Sequence, residues 1–503
     1  MEFEEVLSRL YNEGTRGRFM TESFLLHLLK LHVESQGKKI IIESGPTQSM
    51  FDALAPDGFD DFELPTYIEI TSGLSLKKLI WQLDKYISRS KISNEKSALL
   101  ILSMRPLSKN IVSEINDNVV DFKMPIYIWG PDEIEKIAAK HSDEVRRLGE
   151  NLFSLRLESA IKKEQGNWKS ARSRIVDDVK DAYKSGQFSL FLGAGVSSSA
   201  GLPDWDTLLN SLFVSMLTSE MNENEDKNKK RDTSEISSIV KRLREVDGPS
   251  ALMSARYIRK GMSTSGSAEQ TRFVNTVTEQ LYLLRDKRRS LDSPLIKSIA
   301  AMCMPSRTGA RVKSVVTYNF DDLVERELSK REITYKSIFE EIDLPSPEEL
   351  PLYHVHGYLP QDRSQYTNLD KSTLVFSEEG YHKIYNDFYH WSNLVQLNSL
   401  KESICVMIGL SMTDPNLRRL LEIASRSIEK PKHYAFLKRI SIEEFATDNS
   451  KKLVNAPLVT IKTFLDRHHS LNEEVLKELG VNIIWYEDYD DIPKIINEIT
   501  KSI

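Results

Sequence analysis

Apolar residues recur at three- and four-residue spacing through residues 3–35 (Phe3, Val6, Leu7, Leu10, then Phe24, Leu25, Leu28, Leu29), which predicts helix. Short runs follow: Lys39–Glu43 reads as a strand and Thr66–Thr71 as another, with an acidic turn (Asp57, Asp60, Asp61) between them. Helical spacing returns over 75–89 (Leu76, Leu79, Ile80, Leu83, Tyr86, Ile87). Ser97–Met104 and Ile126–Trp129 are strand-length apolar runs. Pro131–Lys140 reads as a helix with Pro, Asp and Glu in its first turn, the composition that a helix N-terminus favours. This is a small α/β domain over residues 1–140. From 141 to 170 charge dominates and the apolar stripe fades, so that stretch reads as a helical linker.

The second part, 171–503, has a different rhythm. Arg172–Lys184 is helical and leads into the apolar run Phe188–Leu192. Strands are predicted at Val312–Thr317, Leu352–His356, Ser403–Gly409, His433–Leu437 and Val481–Tyr486. Helices are predicted at Asp321–Lys330, Glu378–Gln396, Asn416–Ser425 and Ile492–Ile499. Continuous apolar runs such as Ile404–Ile408 suit strands buried on both faces, as in a parallel sheet. The alternation predicts a doubly wound, Rossmann-like α/β domain, whose ligands sit at the carboxyl ends of the strands. Residues 207–303 form a largely helical insertion, with Thr207–Leu217 as helix and the polar run Glu220–Ser234 as a loop. In such a sheet this insertion would lie over the ligand crevice.

Composition narrows the classes. The 503 residues are 40% apolar and 28% charged, ordinary for a soluble globular protein. A net charge of −6 supplies no global basic field for nucleic acid. Two cysteines, Cys303 and Cys405, exclude a disulfide framework and fit a reducing cytoplasm. The acidic start Met1-Glu-Phe-Glu-Glu is unlike a secretory signal, and no apolar run approaches the ~20 residues of a membrane helix. A soluble cytoplasmic protein without membrane attachment is the expectation.

The chemistry-bearing stretch starts where Phe188–Leu192 ends: Gly193-Ala194-Gly195-Val-Ser197, then Gly201-Leu-Pro203-Asp204-Trp205. Glycines permit a tight turn and a close backbone approach, and amides near a helix start favour an anion such as a pyrophosphate. Three more groups follow in order: Thr317-Tyr-Asn319-Phe-Asp321, Val355-His356-Gly357, and Gly409-Leu-Ser411-Met-Thr-Asp414. Taken singly, Asn319 reads equally as a helix cap, His356 as a buried strand-end histidine, and Asp414-Pro415 as a helix start. Together the four groups resemble the NAD-binding and catalytic motifs of the sirtuin superfamily, over roughly residues 170–500. The resemblance implies a catalytic Asn319 and a catalytic His356. It places Asp321 near the nicotinamide half, the Gly193–Trp205 loop on NAD, and Gly409, Ser411 and Asp414 on the adenosine side.

Two departures separate the chain from the sirtuin deacylases. The four-cysteine zinc module is missing, so no zinc is expected, and Asp206 stands where those enzymes place an Arg. The chain therefore looks like the sirtuin-like NADases of bacterial antiphage defence, in which water is the acceptor and NAD the substrate. At the N-terminus, Asp52, then Glu69-x-Thr71, then a helix carrying Gln82 and Tyr86 resemble the Mrr-like nucleases of the PD-(D/E)xK fold. Thr71 stands in place of their Lys, with Lys77 or Lys78 as conceivable substitutes, so Asp52 and Glu69 read as positions of a degenerate nuclease-like domain. The function implied is an abortive-infection NAD hydrolase. It would be held off until a companion sensor protein or a nucleic-acid trigger engages the N-terminal domain, with homo- or hetero-oligomerisation as the relay. The alternatives are a DNA-binding or DNA-cleaving sensor with a regulatory NAD pocket, and a sirtuin-like protein deacylase or ADP-ribosyltransferase.

Overall fold

The structure, a computed structural model, describes residues 15–42, 51–71, 97–104, 125–148, 168–223, 267–306, 309–341, 344–369, 374–376, 378–426, 430–448 and 451–501, with isolated positions between 235 and 258 and at 372. The expected helix 75–89, with Lys77, Lys78, Gln82 and Tyr86, lies outside the described residues, as do residues 3–14, 149–167 and 224–234. The chain divides into two compact units. The first comprises Met1–Ile175, Ser425–Pro431 and Ile440–Val481; the second comprises Val176–Ala424, Lys432–Arg439 and Asn482–Ile503.

The first unit is built on a five-stranded sheet in the order β1 (Ile41–Ile42), β2 (Ala53–Ala55), β3 (Thr66–Thr71), β4 (Ala98–Ser103), β5 (Ile126–Trp129). β1, β2 and β3 pair antiparallel, while β3, β4 and β5 pair parallel. Every residue of β4 is buried, which is what its unbroken apolar run requires of a central strand. Helix α1 (Thr15–Ser35) buries Phe24, Leu25, Leu28 and Leu29 in one core with Ile68, Leu100 and Leu102. Helix α2 (Pro131–Lys140) starts with Pro at its first turn, and the Glu133 carboxylate accepts the Gly130 N–H at 2.8 Å. A long helix, Leu458–Glu478, also packs on α1. The sequence pattern had not singled it out.

The second unit carries a seven-stranded sheet. Its strands are β6 (Phe188–Leu192), β7 (Val312–Thr317), β8 (Tyr335–Ile338), β9 (Leu350–His354), β10 (Ile404–Ile408), β11 (His433–Lys438) and β12 (Val481–Tyr486). The spatial order is β12-β11-β10-β6-β7-β9-β8, and β6 through β11 pair parallel. This is the doubly wound α/β architecture expected from the sequence. The chain moves outward from β6 through β7 to β9 and β8, then returns to the other flank of β6 as β10. The reversal makes β6 and β10 the switch point, and their carboxyl ends are where a crevice opens in such sheets.

The helices α3 (Trp168–Lys184), α4 (Ala194–Ser199), α5 (Trp205–Glu223), α6 (Ser267–Leu283), α7 (Pro294–Met302), α8 (Leu323–Lys330), α9 (Glu378–Asn386), α10 (Trp391–Glu402), α11 (Pro415–Ser425) and α12 (Asp491–Lys501) complete the described helices of this unit. Three details differ from the sequence pattern. α5 continues to Glu223, so the polar run expected as a loop from Glu220 begins inside a helix. The single helix expected over 378–396 is two, because His390 caps a new start by accepting the Ser392 N–H. β8, an edge strand too short to stand out, was not anticipated. The insertion is tied to the sheet by a core in which Leu208, Leu209 and Leu212 of α5 and Phe273, Val277 and Leu281 of α6 meet Phe320 and Phe376.

Candidate active site

Strand register explains why distant motifs converge. Leu192 of β6 lies opposite Thr317 of β7 on one side and Ile408 of β10 on the other, and Thr317 lies opposite His354 of β9. The four strands therefore end in line, and Gly193, Asn319, His356 and Gly409 each lie one or two residues past that line. Parallel pairing turns four separate sequence positions into one sheet edge.

The glycines are required first by the chain itself. The Gly193 N–H donates to Ile408 O at 2.9 Å and the Gly195 N–H to Gly409 O at 3.0 Å. A Cβ on Gly193 would fall 2.6 Å from Gly409 O, and one on Gly195 would fall 2.8 Å from Gly409 Cα. Gly409 itself has φ +71, a conformation that favours glycine. The loops after β6 and β10 thus touch backbone to backbone at the switch point. The amides of Gly193, Gly195 and Val196 bond to chain carbonyls. Ala194 and Ser197 complete the first turn of α4.

Asn319 and Asp321 lock onto that loop. Asn319 Nδ2 donates to Gly193 O at 3.0 Å, and its own N–H donates to Thr317 Oγ1 at 3.1 Å. Ser197 Oγ donates to Asp321 Oδ2 at 2.5 Å, while Asp321 Oδ1 accepts the Leu323 N–H at the start of α8. Asp322 holds the cap position of α8 without a side-chain cap bond, and the first helical N–H goes to Asp321, so Asn319 has no capping role. Burial pushes the Asp321 carboxyl up to about 6, against the opposing pull of the Ser197 bond. Beneath Asn319, its backbone carbonyl faces His354 Nδ1 at 3.2 Å, and His354 Nε2 meets Glu325 Oε1 at 2.5 Å. His354 thus sits under the loop that carries Asn319.

His356 is almost sealed, at 8% exposure, and its Nε2 has no hydrogen-bond partner. Tyr318 and Tyr381 stand edge-on to the ring, with centroids 4.7 and 5.7 Å away. The Tyr318 hydroxyl donates to Gln396 Oε1 at 2.5 Å. Asp414 Oδ2 lies 3.9 Å from His356 Nε2. Burial lowers the imidazole below its ordinary value, and the Asp414 charge opposes that shift. Tyr318, Tyr381 and Gln396 were not found from the sequence. Tyr318 had a signal, its place between Thr317 and Asn319; Tyr381 and Gln396 had none, because no local spacing relates them to His356.

Other expected positions lie in different surroundings. Gly201 has φ +91 and pairs with the segment after α6, its carbonyl accepting the Asp286 N–H at 2.8 Å. Pro203 is half-buried; Asp204 is exposed and accepts the Thr207 N–H at 2.8 Å as the cap of α5. Trp205 packs against Phe376 at 4.7 Å in the apolar core of the insertion. Ser411 is exposed and bonds Thr413 Oγ1 at 2.6 Å. Among the described residues no group of three or more His, Cys, Asp or Glu side chains surrounds a cation position, and Cys303 and Cys405 are both buried. Among those same residues, no helix is long and apolar enough to cross a membrane.

In the first unit, Asp52 and Glu69 are brought together by neighbouring strands β2 and β3. Asp52 Oδ2 accepts the Ile70 N–H at 2.6 Å. Against both carboxylates stands Lys430, its Nζ 2.6 Å from Glu69 Oε1 and 3.3 Å from Asp52 Oδ1. Thr71 brings no charge to the pair. The cation comes from a segment 361 residues beyond Glu69, so no local spacing could have disclosed it.

Residues 313–460 match the family model of the SIR2-like domain. That span contains Asn319, His356 and Asp414 and begins after the Gly193–Trp205 loop. NAD(+) hydrolase ThsA of Enterococcus faecium is 20% identical over 336 residues, covering 65% of this chain. The chain spans 58% of that relative's length.

Proposed function

We propose that this chain hydrolyses NAD at the nicotinamide N-glycosidic bond, releasing nicotinamide and ADP-ribose. The observation that carries the reading is convergence at one sheet edge: nearly buried His356 stands two residues past the end of β9, in line with Asn319, whose Nδ2 bonds Gly193 O of the glycine loop at 3.0 Å. The similarity to the SIR2-like domain and to a NAD(+) hydrolase agrees with this.

In this reading the bond from ribose C1′ to the pyridinium nitrogen breaks, and its electron pair neutralises the leaving nicotinamide. Water attacks C1′ and yields its proton to His356, acting as general base. Asn319 is held by its amide nitrogen on Gly193 O, which leaves Oδ1 to accept from the water or a ribose hydroxyl. The loop Gly193, Ala194, Gly195 and Ser197 would lie against the pyrophosphate through close backbone approach, since the Gly193, Gly195 and Val196 amides bond within the chain, with Asp321 near the nicotinamide end and Gly409 and Ser411 toward the adenosine. Pure protein incubated with NAD tests this: nicotinamide release that disappears in His356→Ala is expected, and NAD left intact under every condition overturns it.

Unregulated NAD hydrolysis would exhaust the host's pool. The enzyme therefore acts as an antiphage, abortive-infection effector in the cytoplasm, restrained until a companion protein or nucleic acid engages the first unit and assembly relays the signal. Turnover that is full and independent of protein concentration in the lone chain would refute this restraint. The first unit serves recognition rather than cleavage, a reading supported by Lys430, whose ammonium bonds both of the carboxylates that a divalent metal would need.

A further inference from the structure

The Asp414 carboxylate is fixed from two sides. Oδ1 accepts the Leu417 N–H at 2.7 Å at the start of α11, and Oδ2 accepts the Tyr381 hydroxyl at 2.6 Å. Oδ2 is also the atom 3.9 Å from His356 Nε2. That gap is too long for a hydrogen bond and short enough for a strong charge interaction in a site this buried. Among the described residues, the titratable groups facing His356 are Tyr318 after β7, Tyr381 on α9 and Asp414 before α11. His354, two residues earlier at the end of β9, pairs instead with Glu325. Among the described residues, Asp414 is therefore the one anion against the ring.

We propose that Asp414 is the positioning residue of His356: its carboxylate, held by Tyr381, keeps the ring proton on Nε2 and stabilises the imidazolium formed when Nδ1 takes a proton from water. A carboxylate beside Nε2 favours the tautomer protonated there, which leaves the Nδ1 lone pair for the base role. The 3.9 Å gap closes with a small movement as the ring becomes charged, so the attraction grows toward the transition state. Tyr381 tempers the same carboxylate by sharing Oδ2. Asp414 thereby serves proton transfer rather than the adenosine ribose. The turnover part of this inference rests on the NAD-hydrolase reading; the titration part does not.

Imidazole NMR of the full chain tests it, with the His356 signals identified by their loss in His356→Gln. In the wild type the neutral ring should carry its proton on Nε2. Asp414→Asn keeps a capping side chain for α11 and removes the charge. It should lower the His356 pKa by about one unit or more and weaken the Nε2–H preference. Tyr381→Phe should move the pKa the opposite way, because the carboxylate loses a donor and its charge is less dispersed. With NAD, Asp414→Asn should cut kcat on the order of tenfold, with KM within about twofold. A His356 titration unchanged in Asp414→Asn overturns the proposal, as does an unchanged kcat with a raised KM, which would return Asp414 to a substrate contact. The expected titration shifts in a protein that never releases nicotinamide would keep the positioning role and discard the hydrolase reading.

Discussion

In the first unit, the carboxylates of Asp52 and Glu69 meet Lys430 Nζ at 3.3 and 2.6 Å; in the second, Asp414 comes within 3.9 Å of His356 Nε2 and stops short of bonding it. Each site sets a carboxylate beside a side-chain nitrogen. One is closed, because a single ammonium bonds both carboxylates within the chain. The other is open: its carboxylate and imidazole stop short of bonding, and it sits where parallel strands of a doubly wound sheet present ligand-binding loops. The difference teaches where to look for chemistry: a carboxylate and an imidazole held close but unbonded at the carboxyl ends of parallel strands can exchange protons with a ligand, while an ion pair already made within the chain holds structure.

The largest effect should come from the open site. Asn319→Ala and His356→Ala should each lower nicotinamide release at saturating NAD by about a hundredfold or more, with the thermal transition preserved. Wild-type turnover by either variant would break the comparison at once. The closed site should behave oppositely: full-length protein with Mg²⁺ should leave duplex DNA intact, and cleavage that vanishes in Glu69→Ala would show that this site too is open.

Two stability measurements sharpen the contrast. Ser197→Ala removes the donor on Asp321 Oδ2 and should cost about 1–3 kcal/mol at pH 7. The sign with pH follows from the carboxyl's rise to about 6, above its unfolded value of 3.8. The folded state binds the extra proton, so this group's contribution to stability is fully present below the unfolded value and is lost as pH rises through about 6. Without Ser197 the carboxyl should titrate higher still, and the loss of stability measured by denaturant at pH 7 should exceed that at pH 5. Equal losses at both pH values would remove Asp321 from the account. Lys430→Ala should destabilise by roughly 1–2 kcal/mol, because Glu69 is left buried with less compensation while Lys430 is itself half-exposed. A variant as stable as the wild type would show that the ion pair is incidental.

Much of the second unit was legible because its elements announce themselves locally. The apolar runs of β6, β7, β10 and β12 are long enough to be read as buried strands, and the loops at their ends carry Gly193, Asn319 and Gly409. The break between α9 and α10 was hidden, because the cap is a histidine and no Gly or Pro marks it. β8 was hidden by its length, and the helix Leu458–Glu478 by an apolar face that continues into exposed Leu458, Val459 and Phe464.

The sequence by itself determined the residue types at the ends of strands, and with them the candidate roles of Asn319 and His356, since an element's period and its terminating residues are local properties of the chain. Only the tertiary structure decided what each of those groups faces. It made the glycines necessary to one another across β6 and β10, set Asp414 and Tyr381 against His356, and carried Lys430 to Asp52 and Glu69. The physical reason is that electrostatic and steric partnership depends on distance in space. Parallel pairing and long connections bring together residues that no periodicity along the chain relates.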